Sequence, residues 1–314
     1  MSRNPHDRLQ QDTDQIEAPL IEEPIEDPMA KPFDVQPVDA SFGAVITGLR
    51  LPEIDEATWK ALHATWLEYA LLIFPGQFLK KDEQIAFAKR FGPLEFEMGA
   101  VSNVREDGTL RAPEGGDDVV QILKGNEGWH ADSTFKPIQA KGAVFSAEVV
   151  PTVGGHTGWA DMRAAYDALD GATKARIEGL KAYHSLHYSQ GKIGHVPKKG
   201  TDDYRRLGFE GDDDVLRPLV KVHPDTGRKS LLIGRHAHDI PGLSPEESQD
   251  LLQELIDFAC QAPRVYHHDW RVGDVVIWDN RCLLHQATPF DMTQPRVMWH
   301  SRIAGDPVSE AAIG

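Results

Sequence analysis

Short strand-like runs closed by glycine, proline or polar clusters recur through this chain: Ala44–Gly48, Leu71–Phe74, Val119–Leu123, Ala143–Val150, Lys221–His223, Ser230–Gly234, Val275–Asp279 and Arg296–Ile303. Many short strands spread through one long stretch predict a sandwich or jelly roll with helices packed outside. Fewer segments carry helical signals. Residues 55–70 open at Asp55 as N-cap and space Trp59, Leu62, Trp66 and Tyr69 along one face. A second helix opens near Asp82, carries Ile85, Phe87, Ala88 and Phe91, and stops at Gly92-Pro93. Helix formers dominate 161–178, and Ser244-Pro245-Glu246-Glu247 is a capping box for a helix ending near Gln261. The fold class is mainly β with flanking helices.

The 314 residues, 40% apolar and 8% aromatic, suffice for one sizeable core, which we place over 32–314. Residues 1–31 are acid-rich with scattered prolines (Pro5, Pro19, Pro24, Pro28), a composition that predicts a disordered acidic tail. The polar, glycine-rich stretch 190–215 reads as a long loop of the kind that serves as a lid. A formal charge of −16 argues against nucleic acid and anionic membranes as partners. It leaves room for a small anionic substrate, because a local Arg/His cluster overrides a global field. Cys260 and Cys282 cannot build a disulfide framework, which favours a reducing compartment. With no long apolar run and no signal-peptide pattern after Met1, a cytoplasmic protein is expected, as a homo-oligomer.

A His-x-Asp pair on a strand puts both side chains on one face. The chain has two such pairs, in Trp129-His130-Ala131-Asp132-Ser133-Thr134 and in His223-Pro224-Asp225. The second lies between strand-like runs with Gly227 close by, so it reads as a hairpin turn with Asp225 as its cap. The first, joined by the distant His285 beyond Asp279-Asn280-Arg281, makes two imidazoles and one carboxylate. That donor set suits a non-haem Fe(II) centre with open coordination positions. On spacing alone, His130 reads more readily as a hydrogen-bonded structural histidine than as a ligand. Further on, alternation places Arg296, Met298, His300 and Arg302 on one strand face. Either that face meets anions, which guanidinium groups grip well, or it is an exposed edge. Cys282 reads as a buried thiol. No zinc-hydrolase, nucleotide-binding or serine-hydrolase signature is present.

Trp129–Thr134, Gly154-Gly155-His156-Thr157, Asp279-Asn280-Arg281 with His285, and Arg296-Val297-Met298 together resemble the taurine / 2,4-dichlorophenoxyacetate dioxygenase family across roughly 35–306. Within it, Gly142–Pro151 and Ser230–His238 are most similar to bacterial aryloxyalkanoate dioxygenases, especially those acting on (S)-2-phenoxypropionates. The resemblance implies a double-stranded β-helix (jelly roll) and an Fe(II)- and 2-oxoglutarate-dependent oxygenase using O2. It implies His130, Asp132 and His285 as iron ligands, and Thr157 with Arg296 on the far carboxylate of 2-oxoglutarate. Asn126 falls at a substrate-contact position. Where the family often has a substrate-gripping arginine this chain has His300, for which Arg302 or His236 could compensate. The implied reaction hydroxylates the carbon beside an ether oxygen, releasing a phenol and a 2-oxo acid with succinate and CO2. A taurine, alkylsulfonate or alkylsulfate dioxygenase is the alternative within that mechanism, and a non-catalytic β-barrel binding protein is the alternative outside it. An intact set with Thr157 and Arg296 speaks against the latter.

Overall fold

The computed structural model of the protein describes residues 31–112, 114, 117–195 and 214–313. The expected tail up to Ala30 and the centre of the expected loop (196–213) lie outside them. Among the described residues the largest sheet has seven strands. In spatial order these are β1 (Asp34–Pro37), β2 (Ala44–Thr47), β3 (Leu71–Phe74), β13 (Val275–Asp279), β5 (Gly142–Val149), β15 (Val297–Ile303) and β4 (Leu94–Ser102). A three-stranded sheet orders β12 (Val265–His268), β6 (Thr157–Asp161) and β14 (Leu283–Ala287). The described residues form two further small sheets: β10 (Lys229–Leu231) with β9 (Val220–Val222), and β11 (Ala237–His238) with β7 (Lys181–His184) and β8 (Val215–Pro218).

Period-two alternation divides the large sheet between two cores. Leu72, Phe74, Val144, Val275 and Ile277 turn outward onto Leu62 and Trp66 of α1 (Glu56–Tyr69) and Phe87 of α2 (Lys81–Lys89). Their neighbours Leu71, Ile73, Phe145, Val276 and Trp278 turn inward, where Trp159 and Leu283 of the small sheet meet them. The small sheet's other face, through Ala160 and Leu284, packs on α4 (Met162–Ala168) and α7 (Pro245–Ala259). The result is a mainly β architecture, two sheets face to face with helices outside both. No helix among the described residues is long and apolar enough to cross a membrane.

The expected helix starts hold. Asp55 accepts the Thr58 N–H at 2.7 Å, and Ser244 with Glu247 forms the capping box of α7. Two expectations change. Val119–Leu123 is not a strand but the body of α3 (Asp118–Gly125), because Asp117 caps its first amides and Val120 and Leu123 share a helical face. Its β-branched residues carry the strand signal, and the cap overrides it. The helical stretch 161–178 breaks into α4 and α5 (Gly171–Ile177) at Leu169, since Asp170 caps a new helix. A short α6 (Leu186–Gly191) follows β7.

His184 of β7 is fully enclosed, with neither ring nitrogen hydrogen-bonded. Burial, then the Arg217 charge, pushes its pKa from 6.5 to about 3. Above pH 6.5 folded and unfolded forms are both neutral at this site; below it only the unfolded chain takes the proton. Stability is therefore lost as pH falls through the window from 6.5 toward 3. Between pH 7 and 5 this one histidine should cost about 2 kcal/mol. Urea unfolding at both pH values, compared with His184→Phe, checks this: the variant should lose about that much less.

Candidate active site

His130 and His285 exchange backbone hydrogen bonds, 3.0 Å and 2.7 Å, as one antiparallel pair joining the approach from α3 to β14. Directly opposed residues of such a pair point to one side, and the two rings stand 4.2 Å apart. The chain then leaves the sheet. Asp132 lies in a turn with Ser133 at φ +58°, so the His-x-Asp pair is not on a strand as its spacing suggested. What brings Asp132 back to the histidines is Asn280, just after β13. Its Oδ1 accepts the Asp132 N–H (2.7 Å), and its Nδ2 donates to the carbonyls of Asp132 and Ala140 (both 2.9 Å). The carboxamide replaces the strand pairing the turn has given up.

The ligand atoms of His130, Asp132 and His285 all lie within 4.8 Å of one another, and all three residues are buried. The donor set is prepared for a cation. His130 Nδ1 donates to the Gly128 carbonyl at 2.7 Å, which leaves the Nε2 lone pair free. Burial, then the adjacent His285, holds the pKa of His130 well below normal, and burial brings that of His285 to about 4. Burial alone would raise the pKa of Asp132, but the Arg302 guanidinium and the surrounding imidazoles drive it well below the usual carboxylate range. Both histidines are thus neutral and the aspartate anionic near pH 7, the protonation a metal requires. Asp132 Oδ2 and His285 Nδ1 are buried without hydrogen-bond partners.

The face of β15 follows the expected alternation. Arg302 reaches Asp132 Oδ1 (3.0 Å) and Ser133 Oγ (3.2 Å), with Glu95 at 3.6 Å. His300 stacks on Trp278 and lies 3.6 Å from Asp132; burial and Arg302 lower its pKa to about 3. Arg302 is thus engaged with protein carboxylates, and His300 is neutral at physiological pH.

At the other end, Arg296 is 5% exposed and donates from Nε to the Gly155 carbonyl at 3.2 Å. No protein carboxylate pairs with it among the described residues, and burial lowers its pKa to about 10. Two residues beyond Gly155, Thr157 begins β6. Its Oγ1 accepts the Trp270 indole N–H at 2.9 Å, which leaves the hydroxyl proton to donate elsewhere. A guanidinium whose described partner is a carbonyl rather than a carboxylate, and a hydroxyl with its proton to donate two residues beyond that carbonyl, suit a carboxylate.

Asn126 caps α3, and its carbonyl accepts the Ala287 N–H. His236 holds Ser189 Oγ at 2.8 Å and stands edge-on to His130 at 5.8 Å. The second His-x-Asp pair forms no comparable centre. His223, Asp279 and Cys282 do come together, but His223 Nδ1 accepts the amides of Asp225 and Thr226 and its Nε2 meets Asp279 at 3.0 Å. Asp279 is also paired with Arg281, which pairs with Asp225 as well. The turn is capped by the His223 ring, and Asp225 serves an ion network instead. Sequence reasoning missed Asn280 as a support of Asp132. Its only signal was its place in Asp279-Asn280-Arg281.

Residues 34–302 match the family described as taurine catabolism dioxygenase TauD, TfdA. The chain is 68% identical to an (S)-phenoxypropionate/alpha-ketoglutarate-dioxygenase of Sphingobium herbicidovorans, over 91% of this chain and 99% of that one. To the protein of the same description from Delftia acidovorans it is 57% identical, over 90% and 99%. A crystal structure of AAD-2 with Mn(II) and N-oxalylglycine superposes with a TM-score of 0.80 at 37% identity, covering 89% of this chain and 99% of that one.

Proposed function

Because the chain belongs to the TauD/TfdA dioxygenase family, we propose that it is an Fe(II)- and 2-oxoglutarate-dependent dioxygenase that cleaves the ether bond of aryloxyalkanoates. The observation that carries this is the buried triad of His130, Asp132 and His285 with its protonation already set. We read the paired sheets as a double-stranded β-helix and residues 32–314 as the catalytic domain. When bound, iron with 2-oxoglutarate and O2 supplies the oxidising chemistry; the protein supplies binding, orientation and exclusion of water.

In this reading His130, Asp132 and His285 hold the metal. Arg296 and the Thr157 hydroxyl hold the distal carboxylate of 2-oxoglutarate, and Asn280 and Arg302 keep Asp132 in place. The aromatic wall of Trp278, Phe145 and His300 closes one side against water. For a 2-phenoxypropionate, the atoms balance as substrate, O2 and 2-oxoglutarate giving phenol, pyruvate, succinate and CO2. The test is a succinate-release screen over phenoxyacetate, both 2-phenoxypropionate enantiomers, taurine and alkyl sulfates, with phenol measured in parallel. Equal phenol and succinate from a phenoxyalkanoate is the expected result. Succinate released with taurine or alkyl sulfate alone would overturn the ether-cleavage reading while leaving the dioxygenase.

A further inference from the structure

Asn103 is the first residue after β4, and it is fully enclosed. β4 and β15 pair through Ser102 and Val297, which sets Asn103 opposite Arg296 one step further out. A hydrogen-bonded antiparallel pair exchanges two main-chain bonds. The Asn103 N–H does donate to the Arg296 carbonyl, at 3.3 Å, but the Asn103 carbonyl has turned away to accept the Arg111 N–H at 2.8 Å. The side chain makes the return bond instead. Asn103 Oδ1 accepts the Arg296 N–H at 2.8 Å, while Nδ2 donates to the carbonyls of Met292 (3.0 Å) and Gln294 (2.8 Å). An N–H on one side and two carbonyls on the other fix which way the carboxamide faces. One buried side chain thus holds Arg296 by its backbone and holds the turn that leads into it.

The head of Arg296 is held through the same turn. Gln294 Oε1 accepts both the N–H and the hydroxyl of Thr152, at 2.8 Å and 2.9 Å. Further along that stretch, Gly155 donates its N–H to the Pro289 carbonyl at 3.2 Å and accepts from Arg296 Nε. A Cβ built on Gly155 would lie 3.2 Å from Arg296 Nε, so stretch and guanidinium are in close contact. The device matches the one at Asp132. Asn280 and Asn103 each follow the end of a strand, and each supplies from its carboxamide the bonds that main-chain pairing has given up. We infer that Asn103 is a positioning residue for Arg296 and, through it, for 2-oxoglutarate, with Gln294 as a second support. This rests on the reading of Arg296 as the partner of the distal carboxylate. A guanidinium grips a carboxylate through two parallel hydrogen bonds, so a small drift of the arginine weakens that grip. The iron donors hang on other parts of the chain and are unaffected.

The test is an anaerobic titration of the Fe(II)-loaded full chain with 2-oxoglutarate, which reads binding without turnover. It compares wild type, Asn103→Ala, Gln294→Ala, Arg296→Gln and the two double variants that include Arg296→Gln. Asn103→Ala should weaken 2-oxoglutarate binding about 10-fold while Fe(II) affinity stays within about twofold. Gln294→Ala, whose bonds lie at the surface, should fold and weaken it about threefold. Both act through Arg296, so in the Arg296→Gln background each should change affinity by less than about twofold. A side chain that served only stability would give the same loss in both backgrounds. Unchanged 2-oxoglutarate affinity in Asn103→Ala overturns the proposal, as does an equal loss in the Arg296→Gln background or a loss that falls on Fe(II) instead. Should Asn103→Ala fail to fold, Gln294→Ala and its double variant decide by the same criteria. Arg296→Gln binding 2-oxoglutarate as tightly as wild type would remove the reading of Arg296 and the positioning role with it. A loss in Arg296→Gln with none in Asn103→Ala removes the positioning role alone.

Discussion

Asp132→Ala is expected to lower turnover by about 10³-fold or more while leaving the chain folded. The carboxylate is the one anionic donor of the triad, and neither histidine can replace its charge. Its loss also leaves Arg302 short of a partner. Glu95 and Ser133 still surround that guanidinium, so the stability cost should stay near 1–3 kcal/mol, below that of a fully orphaned buried ion. Melting with and without Fe(II) separates the two effects. Wild type should gain melting temperature with added metal, because the metal binds the folded form; Asp132→Ala should melt lower and gain nothing. Normal turnover, or a retained metal-dependent shift, would defeat the metal assignment.

Arg296→Gln should move function and stability in opposite directions. If Arg296 binds the distal carboxylate of 2-oxoglutarate, losing that charge should raise the co-substrate KM by about 10- to 100-fold. The same guanidinium is buried with no carboxylate partner among the described residues. Replacing it with a neutral amide removes a desolvation penalty, so the ligand-free variant should melt at or above wild type. A residue that served only packing would show the reverse, a lower melting temperature with an unchanged KM. Measuring both on one preparation settles which role Arg296 has.

Much of the architecture was legible because it rests on local rules. Asp55 and Ser244 announce their helices through caps, and Leu71–Phe74 and Val275–Asp279 are buried on both faces as unbroken apolar runs should be. The face formed by Met298, His300 and Arg302 followed from alternation alone. Where each head group ends was not legible, because it depends on contacts between residues far apart in sequence. Arg302 could be read as a free cation until Asp132, brought round by its turn, met it at 3.0 Å. Helix α3 was misread because β-branched residues outweighed Asp117, a cap that lies just outside the apolar run.

The three hydrogen bonds of Asn280 tie a ligand turn near residue 132 to the end of a strand closed near 279. If His130, Asp132 and His285 together hold iron, neither half can do so alone, and nothing local in either specifies the distance between them. Tight metal uptake should therefore come late in refolding, after β13 has joined the large sheet, since long-range pairings form last. Iron affinity becomes a measure of folding completeness: molecules arrested before that docking step would carry both histidines and the aspartate yet fail to compete with a weak chelator.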